Sequence, residues 1–308
     1  MSDDSSNRTM RHTSLLGSGA ANSAGVFGGL HRRRFQGSLN VLHIRLAPRF
    51  TDSSHSTQTH SPDSSNDPRK PKKDFGSPLR VIGTLFIAFI ASQLIALFLT
   101  AFFLGAIGAT TNIEDSASAQ FTYVLLAEGI AVGIVYLFLR RRRLGFADIG
   151  LGRRPQWRDL KVAVAGFFAF YALLIIVTIT VKALIPSFDV DQAQDVGFKN
   201  LQTSLDRVIA FAALVILPPI GEEILMRGYL YTGLRSRLRF IWALAITSVI
   251  FGLAHLEYGK NEPVVWVAGL STFILSVVLV YTRERTGALY AAILIHAANN
   301  AIAFSLNF

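Results

Sequence analysis

From residue 81 onward the chain alternates long apolar runs with short polar breaks that carry most of its charge. A helix needs about 20 apolar residues to cross the hydrocarbon core of a bilayer. Val81–Ala109, Phe121–Leu139, Val162–Ile185, Phe240–His255, Val264–Tyr281 and Ala288–Leu306 are runs of this kind. Val208–Ile220 is short alone, and reaches spanning length if its helix continues through Glu222 and Glu223 into Leu225–Leu234. The pattern predicts an all-α fold, a polytopic transmembrane helical bundle of about seven spans, with six to eight as the range.

Residues 1–76 have no such pattern. They are rich in Ser, Gly, His and Arg, a composition that buries too little apolar surface to repay ordering of the chain. The expected organisation is a disordered basic tail over 1–76 and a transmembrane domain over 77–308. Between Ser5 and Thr51 there are seven arginines and no acid, which is also the composition of an organellar transit peptide. Asp3, Asp4 and the absence of a clear amphipathic helix stand against that reading, and no apolar stretch with a cleavage site marks a secretory signal.

Composition agrees with a membrane bundle: 51% of the 308 residues are hydrophobic, only 16% are charged, and mean hydropathy is +0.41. There is no cysteine, so disulfides, thiolate metal sites and a cysteine nucleophile are excluded. The net charge of +10 would suit nucleic acid if it were clustered on one folded face. Its distribution points elsewhere. Arg69–Arg80, Arg140–Lys161, Arg235–Arg239 and Arg283–Arg285 are basic, and they alternate with acidic breaks at Glu114–Asp115 and Asp189–Asp206. By the positive-inside rule the N-terminus is cytoplasmic and the C-terminus outside. The expected location is a bacterial inner (plasma) membrane, with an organellar membrane and a transit peptide as the alternative. The partners expected are anionic lipids and a membrane-anchored protein or peptide substrate, with no nucleic acid and no nucleotide.

Ionisable groups inside spans are costly and face the bundle interior or a water-filled cavity. After His60 the chain has two histidines, His255 and His296, both within apolar runs. Glu222, Glu223 and Arg227, the pair Asn299 and Asn300, and Glu128 share that depth. Glu223 and Arg227 are four apart and can pair on one helix face, which leaves Glu222, about 100° away, free to act. A carboxylate in a low-dielectric site holds a proton more tightly than in water, the property general-base catalysis uses. The bland alternative is a structural ion pair at the membrane boundary.

His296 and Asn300 are also four apart. Two imidazoles, a carboxylate and an amide from separate spans could converge on a divalent metal or an activated water, as in zinc peptidases, although no H-E-x-x-H motif is present. Untilted helices put Glu222 ~22 Å from Arg207 and His296 ~13 Å from Gly287, both in the cytoplasmic half. His255 falls ~22 Å beyond Phe240, a mismatch that tilt or a later helix start must close. Glu128 has no His or Arg at helical spacing and is expected to be neutral or paired on another helix. Gly252 and Gly269 are expected to permit close helix approach.

Glu222-Glu223-x-x-x-Arg227, Phe251-x-x-x-His255 and His296-x-x-x-Asn300, in this order on successive spans, resemble the motifs of the CAAX protease and bacteriocin-processing family of intramembrane endopeptidases. The resemblance covers about Ile82–Phe308, most tightly Pro218–Asn300. It implies that Glu222 activates water, and that Glu223 and Arg227 complete its motif, with Arg227 positioning carboxylate or substrate. It implies that His255, His296 and Asn300 finish the site, as metal ligands or oxyanion stabilisers. Any metal would fall to His255 and His296, with zinc the expected ion. The activity implied is glutamate-dependent metalloendopeptidase action on membrane-anchored substrates, prenylated CAAX proteins among them. Two other functions use the same residues: an inactive scaffold or bacteriocin-immunity factor, and an ion-coupled transporter. The first would fit loss of Glu222, His255 or His296, all of which are present. The second commonly shows interrupted spans in two repeated halves, and no such repeat is found.

Overall fold

The computed structural model describes residues 73–108, 113–190, 192, 197–198, 201–256 and 264–308. Of the disordered tail expected over residues 1–76, residues 1–72 lie outside the described residues, and 73–76 are ordered against the bundle, with Phe75 buried. Among the described residues every regular element is helical. Seven rods follow one another: α1 (Pro78–Ala106), α2 (Ala117–Arg141), α3 (Trp157–Leu184), α4 (Ser204–Arg235), α5 (Phe240–Ala254), α6 (Trp266–Thr286) and α7 (Tyr290–Asn307). Five of them, α1, α2, α3, α4 and α6, are long and apolar enough to cross a membrane. The other two carry the histidines. α5 is apolar but has only 15 residues, and α7 interrupts its apolar sequence with His296, Asn299 and Asn300.

The helices bury their small residues and turn their large ones outward. The buried stripe of α1 includes Ala88, Ser92, Ala96 and Thr100, and that of α2 includes Ala127 and Ala131. Ile87, Phe98 and Phe102 of α1 and Ile175, Ile176 and Ile179 of α3 are exposed. A soluble core would reverse this arrangement. In lipid, apolar contact between helices gains little over contact with acyl chains, so close backbone approach by small residues selects the interfaces. This is a polytopic transmembrane bundle. α1 packs on α2, α5 on α6, and α3 on both α6 and α7, while α4 contacts α1, α2, α5 and α7.

The expected role of Gly252 and Gly269 is seen in the α5–α6 contact. A Cβ on Gly252 would lie 2.9 Å from the Gly269 carbonyl oxygen and 2.9 Å from Phe273 Cβ. That spacing is too tight for a side chain, so glycine fixes the approach.

The basic loops meet at one end of the bundle. Arg153 and Arg158 donate to the carbonyls of Thr286 and Arg285 at the C-terminus of α6, where a cation also meets the negative end of the helix dipole. Arg235 pairs with Glu284 at 3.1 Å. Residues 73–77 belong to the same end. Phe75 is buried in the core with Leu139 and Tyr229, and Lys73 pairs with Asp148 at 2.9 Å. Burial by itself would raise the Asp148 pKa, but Lys73 and the Gly145 N–H hold it below the ordinary carboxylate value. Ser77 caps α1 by accepting from the Arg80 N–H, and Pro78 begins the helix where no N–H is required.

The glycine contact generates a prediction. Gly252→Ala should lower the melting temperature in detergent, despite alanine's higher helix propensity. Gly133→Ala on α2, where an added Cβ meets nothing within 4 Å, should leave it unchanged or raise it, since alanine favours the helix over glycine by about 1 kcal/mol. Equal behaviour of the two variants would contradict the close α5–α6 approach.

Candidate active site

α4 carries Glu222, and its shape follows from two prolines. Pro218 and Pro219 have no N–H to give, so the carbonyl of Leu214 has no donor at either i+4 or i+5. Just before them the helix widens into a π segment, Ala212–Ile216, with the Leu217 N–H reaching the Ala212 carbonyl. Asn300 of α7 supplies what the prolines withhold: its Nδ2 donates to the Leu214 carbonyl at 3.0 Å. Asn299 donates to Asn300 Oδ1, and the Tyr171 hydroxyl of α3 donates to Asn299 Oδ1, both at 3.3 Å. One polar chain thus ties α3 and α7 to the irregular part of α4. A second π segment, Ile224–Leu230, follows Glu223 directly. Such widened turns recur at functional sites because they re-aim side chains within a continuous helix.

Glu223 is fully buried, and its Oε1 accepts two hydrogen bonds, from Arg227 Nη1 and from His296 Nδ1, each at 2.9 Å. The guanidinium of Arg227, also fully buried, lies 4.2 Å above the Phe251 ring on α5. The Phe251 carbonyl in turn faces His255 Nδ1 at 2.8 Å. Both imidazoles therefore have an acceptor at Nδ1, which in the neutral ring assigns the proton there and leaves Nε2 with a bare lone pair. Those two lone pairs face Glu222: Oε2 is 3.8 Å from His255 Nε2 and 3.9 Å from His296 Nε2. Among the described residues Glu222 Oε2 has no hydrogen-bond partner. Although α5 starts at Phe240, as the count along the helix assumed, His255 at its C-terminal cap lies beside Glu222.

The structure thus brings Glu222, Glu223, Arg227, His255 and His296 together on three helices. Asn300 is directed elsewhere, to the Leu214 carbonyl. Arg227 holds Glu223. The site opens on the side of Glu222 and His255, whose side chains are 24% and 35% exposed, whereas that of His296 is 5% exposed.

The donor set bears on a metal. An imidazole that gives its Nδ1 proton to a carboxylate or carbonyl and presents Nε2 is the usual outer-shell arrangement of a metal-ligating histidine, and both histidines have it. The spacing to Glu222 is wider than the roughly 3.3 Å between two ligands of one tetrahedral zinc. The histidine pair has the donor chemistry for a divalent ion, and no third His, Asp or Glu joins it in a metal-holding group among the described residues.

Glu128 also belongs here. Its Oε2 is buried without a hydrogen-bond partner among the described residues, and a Cβ on Gly221 would collide with its carboxylate. Glycine immediately before Glu222 is what admits a second acid from α2. Spacing within α2 gives no hint of this, because the partner is on another helix. The contact is testable by a double-mutant cycle on melting temperature in detergent. Gly221→Ala should be destabilising in the wild-type background and much less so with Glu128→Ala. Strictly additive effects would contradict the contact.

Comparison with known proteins agrees with this geometry. Residues 204–302 match the family described as type II CAAX prenyl endopeptidase Rce1-like. The chain is 26% identical over 236 residues to UPF0177 protein YaiF of Lactococcus lactis subsp. lactis (strain IL1403), an alignment covering 73% of this chain and 95% of that protein. No solved structure matches. The matched segment runs from the start of α4 into α7 and holds every one of the motif residues, so the similarity to the Rce1-like type II CAAX prenyl endopeptidase family falls on the candidate site.

Proposed function

We propose that this integral membrane protein is an endopeptidase that hydrolyses peptide bonds of membrane-anchored proteins or peptides, with Glu222 as the general base. The observation that carries the proposal is the position of Glu222 Oε2, without a hydrogen-bond partner among the described residues and facing two Nε2 lone pairs. A water held by Glu222 Oε2 points a lone pair away from it, toward a bound peptide carbonyl. Glu222 takes one proton from the water as its oxygen attacks the carbonyl carbon. The same proton then passes to the leaving nitrogen as the C–N bond breaks, returning Glu222 to its ionised form. Glu223 and Arg227 touch no reacting atom in this scheme. Glu223 keeps the proton of His296 on Nδ1, and Arg227 balances the buried charge. His255 and His296 would hold a divalent ion, zinc by donor type, through Nε2, where it would supply Lewis-acid polarisation of the carbonyl.

The family's description makes prenylated CAAX-type proteins the first substrate class to try. The exposed edge of Glu222 and His255 leaves room for a chain entering within the membrane. The positive-inside pattern assigns the basic end of the bundle to the cytoplasm, and the proposed location is a bacterial plasma membrane with the N-terminus inside.

The test is cleavage of a panel of lipidated and hydrophobic reporter peptides by the purified full chain in detergent. Glu222→Gln should lower the rate by about 10²-fold or more, the scale of general-base catalysis, with melting temperature unchanged. Wild-type rates in Glu222→Gln would overturn the assignment. A chelator should lower the wild-type rate and zinc should restore it; a rate indifferent to chelator would remove the ion from the scheme.

A further inference from the structure

At the basic end of the bundle, with none of the candidate-site residues in its lining, is a cavity of about 490 Å³ between the start of α1 and the end of α2. Its walls include Arg80 of α1 and Phe138, Arg141 and Arg142 of α2, and the buried Phe75, Thr84 and Tyr229 complete it. Three guanidinium groups therefore face one cavity that has a single carboxylate, Asp74. That carboxylate is already engaged. It pairs with Arg142 at 3.3 Å and with Arg237, which lies outside the cavity, at 2.9 Å. Hydrogen bonds from the Gly76 N–H and Arg237 also hold the Asp74 pKa below the usual carboxylate range, so it stays ionised. Arg80 and Arg141 have no ion-pair partner among the described residues, and both are exposed. The Arg141 guanidinium rests 5.9 Å above the Phe138 ring, a contact that steadies it without neutralising it.

Excess positive charge in an aromatic-lined cavity calls for an anion with several acceptor oxygens, and Arg matches phosphate in a two-pronged geometry. The chain's own tail is a poor candidate, because residues 1–72 carry ten Lys and Arg against five Asp. The surroundings favour lipid as the source. Arg80 lies in the first turn of α1, whose next turns expose Phe86, Ile87, Phe89 and Ile90, an apolar surface suited to acyl chains. Basic pockets between transmembrane helices at the anionic leaflet are a known mode of head-group recognition.

We propose that this cavity is a binding site for the phosphate head group of an anionic phospholipid, with Arg80 and Arg141 as the residues that engage it. The bound head group links α1 to α2 and covers Tyr229, which lies on α4 with Glu222. The lipid thereby fastens the end of the helix that carries the candidate base. This site does not depend on the proposed chemistry.

The test is thermal unfolding of the purified full chain in nanodiscs of phosphatidylglycerol or of phosphatidylcholine. The wild type should melt higher in phosphatidylglycerol. Arg80→Gln with Arg141→Gln should lose most of that difference while melting as wild type in phosphatidylcholine. Arg143→Gln with Arg154→Gln removes as much charge from outside the cavity and should retain the difference. Equal loss in both double variants would reduce the effect to general surface charge and overturn the site. Full stabilisation by inorganic phosphate in phosphatidylcholine discs would overturn the lipid assignment. If the first double variant folds poorly, Arg80→Lys with Arg141→Lys serves instead, and mass spectrometry of co-purified lipid reads the outcome. Retained anionic phospholipid should fall relative to wild type, and an unchanged lipid content would overturn the site.

Discussion

One buried oxygen organises the site. Glu223 Oε1 accepts from Arg227 and from His296, and through Arg227 it reaches the face of Phe251. An ion pair with no exposure is weak evidence for stability, because desolvation of both charges offsets their attraction. Removing one member alone would leave an uncompensated charge, at a cost of about 3–5 kcal/mol. What the pair contributes is definition. Held by Arg227, Glu223 presents Oε1 to His296 Nδ1 and fixes where the proton of a neutral His296 resides. Phe251 does the same for His255 through its carbonyl, and its ring supports the guanidinium. The three motifs are therefore a single connected object, in which the residues flanking the reactive carboxylate hold the imidazoles for it.

Much of this is legible in the chain because four-residue spacing on a helix forces side chains onto one face. The pairing of Glu223 with Arg227 follows from spacing alone, and so does the release of Glu222 from that pair. The seven rods are legible because apolar runs and basic breaks alternate. The partners of residues on other helices are not. Nothing within α2 says that Glu128 meets Gly221, and nothing around Asn300 says that it satisfies a carbonyl orphaned by Pro218 and Pro219. Counting residues from Phe240 puts His255 deeper than Glu222, because a count along one helix does not place it against another.

The irregular turns of α4 show how the fold and the site share one constraint. A straight helix through residues 204–235 would clash at its prolines and carry Glu222 and Glu223 in a different phase relative to α5 and α7. The π segments on either side of the prolines and acids absorb that conflict, and the Tyr171–Asn299–Asn300 chain secures the result. Glycine at 221 completes it by letting α2 approach where the helix is irregular. Irregular turns are thus concentrated on the one rod that carries the candidate base, while α1, α2 and α3 expose large apolar side chains.

Nitrogen-15 spectra of the imidazoles test the central geometry most directly, with His255 and His296 assigned by comparison with His255→Gln and His296→Gln. Both rings should be neutral with the proton on Nδ1 and a bare Nε2, and Glu223→Gln should disturb His296 while leaving His255 unchanged. A proton on Nε2 of either ring in the wild type would contradict the arrangement, since the two lone pairs would then no longer face Glu222.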